Sequence, residues 1–85
     1  MAMKTITYSR DALKVLKRMP RSDAQRIQRK ITSYAKEPST QRNNVKSLVG
    51  SKYSRLRVGD WRVIMDDQGT VLLILKIGAR GDVYR

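Results

Sequence analysis

Arg55, Arg57 and Arg62 stand where a tight hairpin would gather them, and guanidinium groups gathered in that way bind phosphate. Between them Gly59-Asp60 puts glycine first, as a two-residue type II′ turn requires, so Val58 is expected opposite Trp61 and Arg57 opposite Arg62. Like charges facing each other across strands destabilise a sheet. Either water screens such a pair cheaply, or an anion sits between the two guanidinium groups. Arg80 and Tyr84 follow late in the sequence and offer the same anion a further cation and a phenol.

The residue types that are missing narrow the chemistry further. The 85 residues contain no cysteine and no histidine, so there is no disulfide framework, no thiolate metal site and no imidazole acid or base. Asp66 and Asp67 are neighbours in an expected turn whose carboxylates need not converge, so neither a metal site nor a cofactor is expected. Nineteen Lys and Arg against seven Asp and Glu leave a formal charge of +12, which points to a polyanionic partner. Nine of the basic residues lie between Arg10 and Lys36 and six between Arg42 and Arg62, so the folded surface itself is basic. Residues 1–85 make one small domain with a single core. The absence of cysteine, of a long apolar span and of a signal-type segment predicts a cytoplasmic protein with no membrane contact.

Around the hairpin, the chain must supply a scaffold. Lys4 to Tyr8 predicts a short strand with Ile6 and Tyr8 on one face, and Ser9 is the expected cap of a first helix buried through Ala12, Leu13, Leu16 and Met19. Pro20 stops that helix, and Ser22 with Gln25 predicts a capping box for a second one, lined by Ala24, Ile27, Ile31, Tyr34 and Ala35. Pro38 ends it, and Ser39 to Asn44 is expected to be a loop. After Gly50 the period changes to two. Leu56, Val58, Trp61, Val63 and Met65 share the core face, with Arg55, Arg57 and Arg62 on the other. Asp66 to Gly69 is a polar turn, and Val71 to Ile77, apolar on both parities apart from Lys76, predicts a central strand covered on both sides. The order is β-α-α-β-β-β: an α+β fold with a helical hairpin packed on a mainly antiparallel four-stranded sheet and arginines on the open face.

The strand-helix-helix-strand order, the RLRVGDWRVIM hairpin and the terminal IGARGDVYR resemble the RelE/ParE superfamily of bacterial toxins, the RelE branch most of all. The resemblance spans nearly the whole chain, with its specific part in the hairpin and the C-terminal segment. It implies a toxin of a type II toxin-antitoxin system, a ribosome-dependent endoribonuclease that cuts mRNA in the ribosomal A site and is neutralised by a cognate antitoxin. Its partners would be that antitoxin, the ribosome with its rRNA, and mRNA. Arg62 falls on the family arginine that follows an aromatic in the third strand, Arg80 on the arginine after the final strand, and Tyr84 on the C-terminal tyrosine. Arg55 replaces one of two family lysines, and the placing of Lys52 on the other stays open.

Metal-free RNA cleavage uses the ribose 2′-OH as nucleophile and needs a proton acceptor, charge stabilisation on phosphorus and help for the leaving 5′ oxygen. Arg62 and Arg80 suit phosphate stabilisation, and Arg55, Arg57 and Lys52 suit positioning of the RNA backbone. Tyr84 beside those cations could be the general base, or Lys52 could accept the proton while Tyr84 stacks on a base. Two other readings stay open. A ParE-like toxin would share the fold and bind DNA gyrase without catalysis, and a plain RNA-binding module would use the same basic sheet. The helix cations Lys14, Lys17, Arg18 and Arg21, and Arg26, Arg29 and Lys30, are expected to be solvated or to touch rRNA phosphates without specificity.

Overall fold

Patterning of this kind needs one sheet and one layer of helix, and the computed structural model, which describes residues 3–79, has that arrangement. Strand β1 (Thr5–Tyr8) leads into α1 (Arg10–Arg18) and α2 (Arg21–Lys36). A 3₁₀ segment (Pro38–Asn44) then precedes β2 (Val45–Ser47), β3 (Ser54–Val58), β4 (Trp61–Asp67) and β5 (Val71–Ala79). The sheet order is β1-β5-β4-β3-β2, antiparallel throughout except that β1 runs parallel to β5. The class and layout agree with the sequence reading. The sheet has five strands where four were expected, because Val45–Ser47 pairs with Ser54–Leu56 and forms one edge. Three residues carry too short a pattern to reveal a strand.

Leu16, Ile27, Ile31, Leu56, Val63, Met65, Leu72, Ile74 and Ile77 meet between helices and sheet. Burial of such apolar surface, at about 25 cal/mol per Å², is what holds so charged a chain together. Trp61 packs half-buried against that core, as its parity predicts. Leu13, expected in the stripe of α1, is 41% exposed, since a nine-residue helix lying on a sheet buries only the narrow face carrying Ala12 and Leu16. Among the described residues no helix is long and apolar enough to cross a membrane.

Local chemistry explains the joints. Ser9 Oγ accepts from the Ala12 amide at 3.0 Å, capping α1 as expected, and donates to the Leu75 carbonyl at 2.6 Å, so one hydroxyl also ties the helix to β5. The second helix begins differently from the capping-box prediction. It starts at Arg21 with Pro20 as its cap residue and no side-chain cap bond, and the amides of Asp23 and Ala24 reach the Pro20 carbonyl instead. Proline's fixed φ already suits the entry to a helix, so Ser22 lies inside the first turn. Residues 38–44, expected as a loop, wind into 3₁₀ turns, with Thr40 Oγ1 donating to the Glu37 carbonyl at 2.8 Å.

A bulge explains why β5 is apolar on both parities. Ile64 pairs with Lys76 but Met65 pairs with Ile74, so Leu75 is an extra residue and the inward parity switches there. Leu72, Ile74 and Ile77 can then all be buried, whereas Val71, Leu73 and Leu75 on the other side are only half-buried. The strand is interior to the sheet, as expected, but its helix-free side is not a second core.

The polar turn after β4 is shorter than expected: Asp66 and Asp67 belong to the strand. Asp67 joins three elements. Its carboxylate accepts from Tyr34 Oη at 2.8 Å and from the Gly69 amide at 3.0 Å, and pairs with Lys4 Nζ at 3.0 Å. Burial alone would raise the Asp67 pKa, but the bonds from Gly69, Tyr34 and Lys4 outweigh it and hold it below its ordinary value. Burial first, then the carboxylate neighbour, pushes the Tyr34 phenol up to about 12. A depressed carboxylate pKa stabilises the fold above the unfolded value of about 3.9, and that contribution disappears as pH falls through the lower folded value. Tyr34 acts oppositely: its contribution is present below about 10 and is lost as pH rises through the folded value. Asp67→Asn is expected to destabilise the protein by about 1–3 kcal/mol at pH 7. Urea unfolding should show the gap to wild type closing as pH falls below the ordinary carboxylate range; an equal gap in acid would rule this linkage out.

Candidate functional site

Gly59 has a φ of +60° and Asp60 does not enter the left-handed region, the pattern of a type II′ turn and not of type I′. The register that follows is the expected one, with Val58 opposite Trp61 and Arg57 opposite Arg62. Helices cover the other side of the sheet, so both arginines project from its helix-free face. A second row runs across four strands on that face: Lys46, Arg55, Ile64 and Lys76 are successive neighbours. Next to Arg62 on β5 is Gly78, which brings no side chain. Five cations from four strands therefore share one surface.

Arg62 is held in place by its own turn. Its Nη1 donates to the Gly59 carbonyl at 3.0 Å and to the Trp61 carbonyl at 3.1 Å, leaving the Nε–Nη2 edge without a partner among the described residues. A guanidinium edge of that kind presents two parallel donors, the geometry that matches two oxygens of a phosphate. Arg57 has no carboxylate within salt-bridge distance among the described residues. The like-charge repulsion anticipated from the sequence is therefore present in the fold.

Lys52 lies in the loop before β3, with its ammonium 3.7 Å from Asp66 Oδ2 and 5.8 Å from the centre of the Tyr53 ring. Asp66 is 5% exposed and also accepts from Gln68 Nε2 at 3.0 Å. Because Asp66 shares the face of Arg62 four residues along β4, Lys52 is anchored about 13 Å from the arginine pair. Arg55 lies between the two on β3, opposite Ile64. Lys52, Arg55, Arg57 and Arg62 thus occupy one side of the sheet, with Lys52 at the far end. Arg80 and Tyr84 lie outside the described residues.

Sequence reasoning did not place four residues that contribute. Lys46 joins the face through β2, which was not foreseen. Asp66 is the buried carboxylate anchoring Lys52, and continuing the parity of Arg62 through Ile64 would have found it. Arg26 and Lys30, expected to be solvated or to touch rRNA phosphates without specificity, border a groove shared with Arg57 and Arg62. No periodicity within α2 could show that.

The family model described as "ParE toxin of type II toxin-antitoxin system, parDE" matches residues 6–84. No curated protein sequence gives a significant match. Among solved structures, the chain is similar to the archaeal RelE-RelB complex from Pyrococcus horikoshii OT3, with 25% identity, a TM-score of 0.78, and 95% of this chain and 99% of that one covered. The RelBE2 toxin-antitoxin complex of Mycobacterium tuberculosis gives 20% identity and a TM-score of 0.75 over 93% and 100% of the two chains. The intact RelBE toxin-antitoxin complex of E. coli gives 16% and 0.72 over 92% and 96%. The last two are similarities of fold.

Proposed function

Starting from a chain that belongs to the ParE toxin family of type II toxin-antitoxin systems and has a RelE-like fold, we propose that it is a ribosome-dependent endoribonuclease, cutting mRNA in the ribosomal A site until a cognate antitoxin protein neutralises it. The observation that carries this reading is the directly opposed pair Arg57 and Arg62 on a sheet face with no helix over it among the described residues. A sheet gains nothing from that pair by itself, and an RNA phosphate between the two would turn the repulsion into binding.

In the proposed reaction the ribose 2′-OH attacks the adjacent phosphorus, its proton passes to a base, and the 5′ oxygen departs with a proton. The products are a 2′,3′-cyclic phosphate and a 5′-hydroxyl end. Arg62 and Arg80 stabilise the extra charge on the phosphoryl oxygens, and Arg55, Arg57 and Lys52 hold the flanking backbone. In this proposal Tyr84 serves as the general base, with Lys52 as the alternative acceptor. This acid/base set is weak, so orientation by the ribosome must supply much of the rate. Little cleavage of naked RNA is expected.

Because the matching family model is that of a ParE toxin, the second reading is the ParE-like alternative weighed from the sequence, a non-catalytic binder of DNA gyrase. One paired assay separates the two. The purified protein should cut mRNA at the A site of translating ribosomes and leave gyrase supercoiling unaffected. Intact transcripts together with inhibited supercoiling would transfer the case to the gyrase reading.

A further inference from the structure

Beside the β3–β4 turn, a groove of about 650 Å³ runs from the arginine pair toward α2. Four cations wall it: Arg26 and Lys30 from the helix, Arg57 and Arg62 from the hairpin. Among the described residues its one carboxylate is Asp60, an exposed turn residue, and the acid paired with the helix cations is Asp23, 3.7 Å from Arg26 with both side chains substantially exposed. An exposed pair of that kind neutralises little.

The helix and the turn come close at Gly59. A Cβ there would lie 2.9 Å from Arg26 Nη2, the mobile tip of a long side chain, so the Arg26 guanidinium lies beside the turn. Gly59 is also the residue whose carbonyl holds Arg62. Arg26 therefore lies near the residue whose carbonyl holds Arg62, and a ligand in the groove comes close to the support of that arginine.

The lining decides between possible occupants. A protein partner is usually anchored by aromatic or aliphatic side chains in apolar pockets. Among the described residues the groove's one large apolar residue is Val58, which is 2% exposed and offers no such pocket. Unpaired bases bind by stacking on aromatic rings, and among the described residues no aromatic lines the groove. What remains is a string of phosphates with bases turned inward, the surface of a duplex. RNA helices in particular are recognised by shape and backbone. We infer that the groove between α2 and the β3–β4 turn binds the sugar-phosphate backbone of an RNA helix. The choice of RNA rests on the ribosomal target proposed above; the phosphate chemistry does not.

The test is binding of the full-length protein to a fluorescent RNA duplex, followed by anisotropy across a salt series. Arg26→Gln/Lys30→Gln should weaken binding at least about tenfold at 0.1 M salt and lower the slope of log K against log salt by roughly 1 for each cation removed. Lys14→Gln/Lys17→Gln on α1 should change the slope by much less. Both groove positions reach solvent and the double variant should melt near wild type; Lys30→Gln alone, which leaves the Arg26 contact with Gly59 intact, is the fallback and should remove about one unit of slope. A wild-type slope in a folded groove variant would overturn the inference. So would tighter, equally groove-dependent binding of the matching DNA duplex, or groove-dependent binding of polyglutamate with RNA binding unchanged. Cleavage on ribosomes with no groove effect would remove only the groove. A groove-dependent slope in a protein that cuts no mRNA would remove only the nuclease reading.

Discussion

Arg62→Ala is expected to lower mRNA cleavage on translating ribosomes by about 10²–10³-fold, the usual loss when one well-placed donor to a developing oxyanion is removed. The fold should tolerate the change. Removing the guanidinium breaks two hydrogen bonds to Gly59 and Trp61, together worth roughly 1–2 kcal/mol, but it also relieves the repulsion from Arg57 across the strands. These effects oppose each other, so the thermal midpoint should move by only a few degrees while activity collapses. Arg62→Lys discriminates further, because it keeps the charge and loses the two-donor edge; partial recovery is expected. Single-turnover cleavage beside thermal unfolding measures both quantities. Full activity in Arg62→Ala would remove this residue from the chemistry.

The largest structural effect should come from a neighbour of the cations. Leu56 is fully buried, with Arg55 and Arg57 on either side of it in β3. Leu56→Ala should cost about 3–5 kcal/mol from lost transfer energy and the cavity left behind. For a domain with total stability in the range of roughly 5–15 kcal/mol that is a large share, and the midpoint should fall by well over 10 °C. Cleavage per folded molecule should nevertheless stay near wild type in the cold, because neither arginine is altered. Chemical denaturation with activity measured at low temperature checks both halves. A loss of activity larger than the unfolded fraction would mean that Leu56 sets the geometry of the arginine face as well as its stability.

Much of this architecture was legible because two local signals agreed. The glycine-first turn fixed the register of β3 and β4, and the alternation on both strands then chose the same buried face. That is why the opposition of Arg57 and Arg62 could be stated before any coordinates. What escaped depends on contacts that no local pattern records. The edge strand of Val45–Ser47 is too short to show a period. The bulge at Leu75 looks from the sequence like burial on both sides. Pro20 serves as terminator of one helix and entry to the next, so the serine two residues on was an attractive but idle cap. Arg26 meets the hairpin through tertiary packing, and a helical wheel treats it as one more solvated cation. The placement of Arg80 and Tyr84 was an inference from resemblance, and it remains a proposal.

The parallel pairing of β1 with β5 also bears on when this protein can become itself. Thr5–Tyr8 hydrogen-bonds to Val71–Ile74, and the Ser9 hydroxyl that caps α1 reaches a carbonyl 66 residues away. Closing so distant a contact carries a loop entropy that local structure cannot offset early, which slows folding. During synthesis the first strand must wait for the last to emerge, and the helices have no finished sheet to rest on until it does. A nascent chain is therefore an incomplete fold for most of its translation, and the interval before β5 docks separates the making of the polypeptide from the arrival of its assembled surface.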